Sequence, residues 1–85
     1  MIKITLYSRP GCHLCEDMKA IVQRVARATD AAIAVEEIDI STDPVLEARY
    51  GLDIPVLLID GRKAAKYRVT GEELTRILEA RRAEG

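Results

Sequence analysis

The sequence predicts an α/β domain of three layers, in which a four-stranded mixed sheet carries helices on both faces. Three observations predict it. A segment of period-two alternation, Ile2–Tyr7, is followed by a stretch of helical period and then by a second β-branched run, Ile33–Ile40. An Asp60-Gly61 pair stands between two further extended segments and reads as a hairpin turn. Thr70-Gly71-Glu72-Glu73 has the spacing of a capping box and opens a last helix. The resulting order is β-α-β-α-β-β-α. At 85 residues the chain has room for one such domain, spanning positions 1–85.

Each element has its own signal. Ile2-Lys3-Ile4-Thr5-Leu6-Tyr7 alternates in polarity and is rich in β-branched residues, hence a strand. Ser8-Arg9-Pro10-Gly11 is a turn by its Pro-Gly pair. From about Cys12 to about Ala28 the period changes, and Leu14, Met18, Ile21, Val22 and Val25 share one helical face. Thr29-Asp30 closes that helix, and Ile33–Ile40 returns as a strand. Parallel pairing of the first two strands requires a crossover, which the helix supplies with right-handed sense. After a Ser41-Thr42 loop, Asp43 is placed to cap a short helix with Pro44 at its first position, and Gly51 stops it after Tyr50.

Ile54–Ile59 is the third strand and Lys63–Val69 the fourth. The fourth is weakly apolar, as suits an edge guarded by Lys63, Lys66 and Arg68. The last helix places Leu74, Ile77 and Leu78 inward, and the Arg81–Gly85 tail is expected to fray. Two helices are expected on one face of the sheet and the short one on the other.

Composition narrows the function. Thirteen basic against fourteen acidic residues leave a net charge of −1. No basic field exists to draw nucleic acid or anionic lipid. The aromatics are three Tyr, with no Phe or Trp, so the core must be aliphatic. The apolar runs fall far short of the roughly 20 residues a membrane span needs. No leader pattern opens the chain. A monomer in the cytoplasm is expected, with no nucleic-acid or membrane partner.

The chemistry is expected at the two Cys, Cys12 and Cys15. A disulfide between them closes too small a loop to act as a structural staple. Beside a β-α-β unit, Cys12-His13-Leu14-Cys15 reads as a redox pair. At a helix N-terminus, residues three apart face the same side, so two sulfurs there can close and reopen a tight disulfide. Cys12 lies against unpaired backbone N–H groups and the positive end of the helix dipole. That interaction contributes up to ~2 kcal/mol, against ~1.36 kcal/mol per pKa unit. It is enough to bring a thiol that ordinarily titrates near ~8.5 toward neutrality. Cys15, one turn inside, is expected to be more buried and less acidic. Cys12 therefore attacks, and Cys15 resolves the mixed disulfide.

Tyr7-Ser8-Arg9-Pro10-Gly11-Cys12-His13-Leu14-Cys15 resembles the active-site segment of glutaredoxins, within the thioredoxin-like superfamily. Ile54-Pro55-Val56-Leu57-Leu58-Ile59-Asp60-Gly61 is similar to their second signature. The likeness spans nearly the whole chain. More narrowly, Gly-Cys-His-Leu-Cys-Glu-Asp resembles a group of short bacterial glutaredoxin-like proteins. The resemblance implies a thioredoxin-like fold and a thiol–disulfide oxidoreductase with Cys12 and Cys15 as its redox disulfide. It implies that Pro55 is cis and that the backbone of Ile54 pairs with a substrate peptide. Arg9 stands where many glutaredoxins have a Lys that meets a glutathione carboxylate. Arg9, His13, Leu14, Ile54, Pro55 and Thr70 are the implied substrate-binding residues. The implied partner is a disulfide-containing protein or a glutathione mixed disulfide. Glutathione or a thioredoxin reductase would be the electron donor. No metal or organic cofactor is expected, glutathione entering only as co-substrate.

The chain also departs from the family pattern. His13-Leu14 replaces the common Pro-Tyr between the Cys, so the aromatic ring that flanks glutathione is missing at position 14. Asp53-Ile54 replaces the usual Thr-Val before the proline. The Gly-Gly pair that helps hold glutathione has no match in Arg68-Val69-Thr70-Gly71-Glu72, where Thr70 or Glu72 would have to substitute. His13 has two readings: a cation that stabilises the Cys12 thiolate, or an exposed residue at the helix start. Arg9 likewise reads as an anion or thiolate partner, or as a solvated turn residue. Two alternatives to the oxidoreductase stand beside it: a non-catalytic binding module on the same fold, and an iron–sulfur carrier that needs a second chain.

Overall fold

The computed structural model describes residues 1–84. Its elements run β1 (Ile2–Ser8), α1 (His13–Ala28), β2 (Ile33–Asp39), a 3₁₀ turn (Ile40–Thr42), α2 (Pro44–Tyr50), β3 (Val56–Ile59), β4 (Arg62–Lys66) and α3 (Gly71–Glu84). The strand order is β2-β1-β3-β4. β1 pairs parallel with β2, while β3 is antiparallel to both β1 and β4. This is the predicted order and the predicted mixed sheet.

The alternation of β1 sorts its side chains between two layers. Ile2, Ile4 and Leu6 join Leu57 and Ile59 of β3 in one core with Met18, Val22 and Val25 of α1 and Leu74 and Leu78 of α3. Burying each such aliphatic side chain contributes about 1.5–3 kcal/mol, so this layer dominates stability. On the opposite face, Tyr7 of β1 stacks on Tyr50 of α2, with ring centroids 4.8 Å apart and planes 29° off parallel. The two Tyr dock the short helix on its own side of the sheet.

Boundaries differ from the sequence reading in ways that have causes. The second strand stops at Asp39, whose carboxylate accepts the Ser41 N–H at 2.9 Å and turns the chain into the 3₁₀ segment. The third strand starts at Val56, because Pro55 has no N–H to give a ladder. The fourth strand ends at Lys66, not Val69. Tyr67 takes φ +67°, a left-handed conformation that no strand can continue through. Arg68, expected to guard the edge, therefore lies beyond it. α3 extends through Glu84, so the helix takes in the Arg81–Ala83 part of the tail. Gly85 lies outside the described residues.

Register brings four segments to one end of the sheet. Tyr7 of β1 pairs with Val56 of β3, and Val56 pairs with Lys66 of β4. Ser8 pairs with Asp39. The turn before α1, the 3₁₀ turn, the segment before β3 and the β4–α3 connection therefore share the carboxyl end of β1. The Ile54–Pro55 peptide bond in that group is cis, as the resemblance implies.

Candidate active site

Cys12 is the N-cap of α1, with φ −89° and ψ 110°. Gly11, at φ +80°, lets the chain turn into that position. The turn is closed by the Cys12 N–H donating to the Arg9 carbonyl at 3.3 Å. The helix then begins with the Glu16 N–H on the Cys12 carbonyl at 3.1 Å. An N-cap side chain ordinarily offers oxygen to an unpaired amide; here sulfur does so, and the Cys15 N–H donates to Cys12 Sγ at 3.1 Å. The two sulfurs form a disulfide, with Cα atoms 5.2 Å apart.

The two Cys differ in access. Cys15 lies on the buried stripe of α1 with Met18, Val22 and Val25, and is 1% exposed. Cys12 is only half-buried. The chemistry this permits is asymmetric: an incoming group can reach Cys12, and Cys15 can be reached only through Cys12.

The remaining implied site residues divide into groups. His13 is exposed at the first turn of α1. Leu14 is half-buried and lines a groove of about 490 Å³ with Met18, Ile21, Tyr67, Val69 and Thr70. This groove runs between α1 and the β4–α3 connection. Pro55 is buried and Ile54 half-buried at the same sheet end, but neither lines that groove. Thr70 is committed to its own helix: its N–H donates to Glu73 Oε1 and the Glu73 N–H donates to Thr70 Oγ1, each at 3.0 Å. The Thr70 amide, and then the Thr70 hydroxyl, hold the Glu73 carboxyl below the usual carboxylate range.

Arg9 is committed as well. Its guanidinium is hydrogen-bonded to Glu47 Oε1 of α2. The other carboxylate oxygen, Oε2, is buried and has no hydrogen-bond partner among the described residues. A half-exposed ion pair contributes about 0–1 kcal/mol. A buried acceptor left unpaired costs about 1–3 kcal/mol. The arrangement is therefore not a net source of stability.

Sequence reasoning missed three residues at this end of the molecule. Glu47 reads as an ordinary charge on a short helix, and nothing in its spacing names Arg9 as its partner. Tyr67 reads as part of a strand; instead its hydroxyl donates toward the Leu52 carbonyl and Asp53 Oδ1, both at 3.2 Å. Leu52 reads as an incidental apolar residue, yet it is 94% exposed two positions before Ile54. Nearby, Asp39 is held below the usual carboxylate range, chiefly by the Ser41 hydroxyl and then by the Ser41 amide.

Among known families, the chain matches the one described as Glutaredoxin-like domain (DUF836), over residues 3–79. It is 33% identical to a thioredoxin of Methanocaldococcus jannaschii over 61 residues, 71% of this chain and 72% of that protein. The X-ray structure of a structural-genomics target protein from X. campestris matches with a TM-score of 0.75 at 35% identity, covering 91% of this chain and 96% of that one. Chloroplastic thioredoxin z matches with a TM-score of 0.80 at 16% identity, covering 98% of this chain and 80% of that one. The last is a likeness of fold alone, and it makes the architecture a thioredoxin fold.

Proposed function

This chain belongs to the glutaredoxin-like family of the thioredoxin superfamily, and from that premise we propose that it is a dithiol oxidoreductase acting on disulfides of other polypeptides. The observation that carries the reading is the pairing of an accessible sulfur at a helix N-cap with a buried sulfur one turn inside. In the reduced protein, the helix N-terminus and the Cys15 amide favour the Cys12 thiolate over the thiol. The thiolate attacks one sulfur of the target disulfide. A Cys12–target disulfide forms, the target S–S bond breaks, and the second target sulfur leaves as a thiolate that takes up a proton. Cys15 then loses its proton and attacks Cys12 Sγ. The Cys12–Cys15 disulfide closes, the remaining target thiol departs, and two electrons have passed to the target.

No step in this cycle calls on a metal or an organic cofactor. Returning the protein to its dithiol form requires two electrons from a thiol donor, glutathione or a thioredoxin-reductase system. The paired Cys and the absence of further Cys suit a reducing compartment, and we place the protein in the cytoplasm, acting as a monomer. Among the described residues, no helix is long and apolar enough to cross a membrane.

The test is turnover of a protein disulfide with each donor in turn. Cys12→Ser should abolish turnover with either donor. Cys15→Ser should accumulate the mixed disulfide on Cys12. Dithiol turnover surviving in the Cys12 variant would sink the mechanism. A wild-type protein inert toward every disulfide would leave a binding module in its place.

A further inference from the structure

The chain supplies its own carboxylates to Arg9 and Thr70, the two residues that the family resemblance implies for holding an anionic thiol. Arg9 is bonded to Glu47, and Thr70 gives its N–H to the Glu73 carboxylate while its hydroxyl oxygen accepts the Glu73 N–H. The first pairing is the informative one, because Thr70–Glu73 is a capping box that any helix start can use. Arg9–Glu47 has no such structural motive. It leaves Glu47 Oε2 buried without a partner among the described residues, and it lies close against position 51: a Cβ there would stand 3.2 Å from Arg9 Nη2 and 3.1 Å from Glu47 Oε1. Of the other cations at this end, Arg68 lines the groove beside Leu14 and makes no ion pair among the described residues. Lys66 is already bridged to Asp53 at 3.7 Å, and Lys19 to Glu37 at 3.1 Å. Glu16 and Asp17 follow directly behind the Cys pair on α1.

We propose that Glu47 is a specificity-determining residue: it occupies the Arg9 guanidinium and so turns the active site against anionic small thiols such as glutathione, leaving peptide disulfides without neighbouring carboxylates as the preferred substrates. This inference rests on the oxidoreductase reading above. The physical content is a competition. A substrate carboxylate that reaches for Arg9 finds Glu47 already bonded there and is repelled by it. A neutral or cationic partner meets neither obstacle.

The experiment is a charge series of small disulfides of similar reach, cystamine (cationic), hydroxyethyl disulfide (neutral) and dithiodipropionate (anionic), with glutathione disulfide as a larger anionic member. kcat/KM is read for the wild type, Glu47→Gln, and the double variant Arg9→Gln/Glu47→Gln. Gln keeps an acceptor for Arg9 while removing the charge. Wild-type kcat/KM should fall from cystamine to hydroxyethyl to the anionic disulfides, and added salt should narrow the spread. Glu47→Gln should raise the anionic-to-neutral ratio of kcat/KM roughly three- to tenfold, the size of one charge-assisted contact. The double variant should reverse that gain, since the freed cation is then absent.

A ratio that stays fixed in Glu47→Gln overturns the inference while leaving the oxidoreductase reading intact. So does a wild-type series insensitive to charge and salt, a measurement that needs no variant. An equal rise on neutral and anionic disulfides assigns Glu47 a merely structural role and also overturns it. A wild type inactive on all four small disulfides but active on a protein disulfide overturns this inference alone; inactivity on the protein disulfide as well removes the oxidoreductase reading, and this inference with it.

Discussion

The Cys15 amide donates to Cys12 Sγ at 3.1 Å, although the Cys15 side chain itself is sealed in the core. One residue thus supports the reactive sulfur from its backbone and withholds its own sulfur from solvent. The reduced protein should therefore show two very different thiols. With excess iodoacetamide near neutral pH, Cys12 should alkylate at least about tenfold faster than Cys15, because rate follows thiolate fraction and access. Peptide mass spectrometry against time reads both rates. Equal rates would mean that the helix N-terminus confers no advantage on Cys12.

The acid end of the stability profile should be set by three capping carboxylates. Asp60 accepts the Lys3 N–H at 2.9 Å and Arg81 Nε at 2.7 Å, which hold it below the usual carboxylate range. Asp39 and Glu73 are lowered by their Ser41 and Thr70 bonds. A folded-state pKa below the unfolded one contributes stability that is present above the unfolded value. That contribution is lost as pH falls through the folded value. The loss therefore begins below about pH 4, where free Asp and Glu titrate. Asp60→Asn should lower the urea midpoint at pH 7 and lower it progressively less as pH falls below about 4, where the wild-type carboxyl gives up its charge as well. A gap of constant size between the two proteins would assign the role of Asp60 to shape, not charge.

The limits of the sequence reading follow the range of the forces involved. Strand and helix identities were legible because alternation and helical period report local burial; Ile4, Leu6, Met18, Val22, Leu74 and Leu78 lie where those periods put them. The capping box at Thr70–Glu73 was legible because all its atoms fall within four residues. The Cys12–Cys15 asymmetry was legible for the same reason. Arg9 was not: its partner Glu47 lies 38 positions away on the other side of the sheet. Tyr67 was not either, since Tyr carries no signal for a left-handed backbone and its hydroxyl reaches back 15 positions to Leu52. Contacts between loops at the sheet end depend on topology, and local pattern does not encode them.

Tyr67 should act as a strap on the segment that leads into Pro55. A non-glycine residue held in the left-handed region costs about 1–3 kcal/mol and persists only when its surroundings fix it. Here the Tyr67 N–H donates to the Pro55 carbonyl at 2.8 Å, and the hydroxyl reaches Leu52 and Asp53. Tyr67→Phe keeps the ring and the backbone bond and removes only the hydroxyl. It should cost about 0.5–1.5 kcal/mol and should speed amide hydrogen exchange at residues 52–54 while leaving β1 protected. Unchanged exchange in that segment would show that the hydroxyl bonds bear no load.

Gly51 gives a prediction whose sign distinguishes two explanations of the same glycine. Read from sequence, it is the stop of a short helix, where left-handed freedom would matter. In the structure its φ is −56° and ψ −29°, ordinary right-handed backbone open to any residue. On conformational grounds alone, Gly51→Ala should stabilise the protein by about 0.4–1 kcal/mol, by narrowing the unfolded ensemble. Space argues the other way. The new Cβ would lie 2.5 Å from the Glu47 carbonyl oxygen, and it would also crowd Glu47 Oε1 and Arg9 Nη2. The carbonyl is backbone and receives the Gly51 N–H at 2.9 Å, so it cannot swing away without breaking the last bond of α2. Overpacking of this kind costs about 1–3 kcal/mol, which exceeds the conformational gain. Gly51→Ala should therefore be destabilised in urea unfolding by roughly 1–2 kcal/mol net. Its Arg9 should also be released from Glu47, moving the substrate charge preference in the same direction as Glu47→Gln. A stabilised variant would mean that α2 yields at its end, and that position 51 does not constrain the Arg9–Glu47 pair.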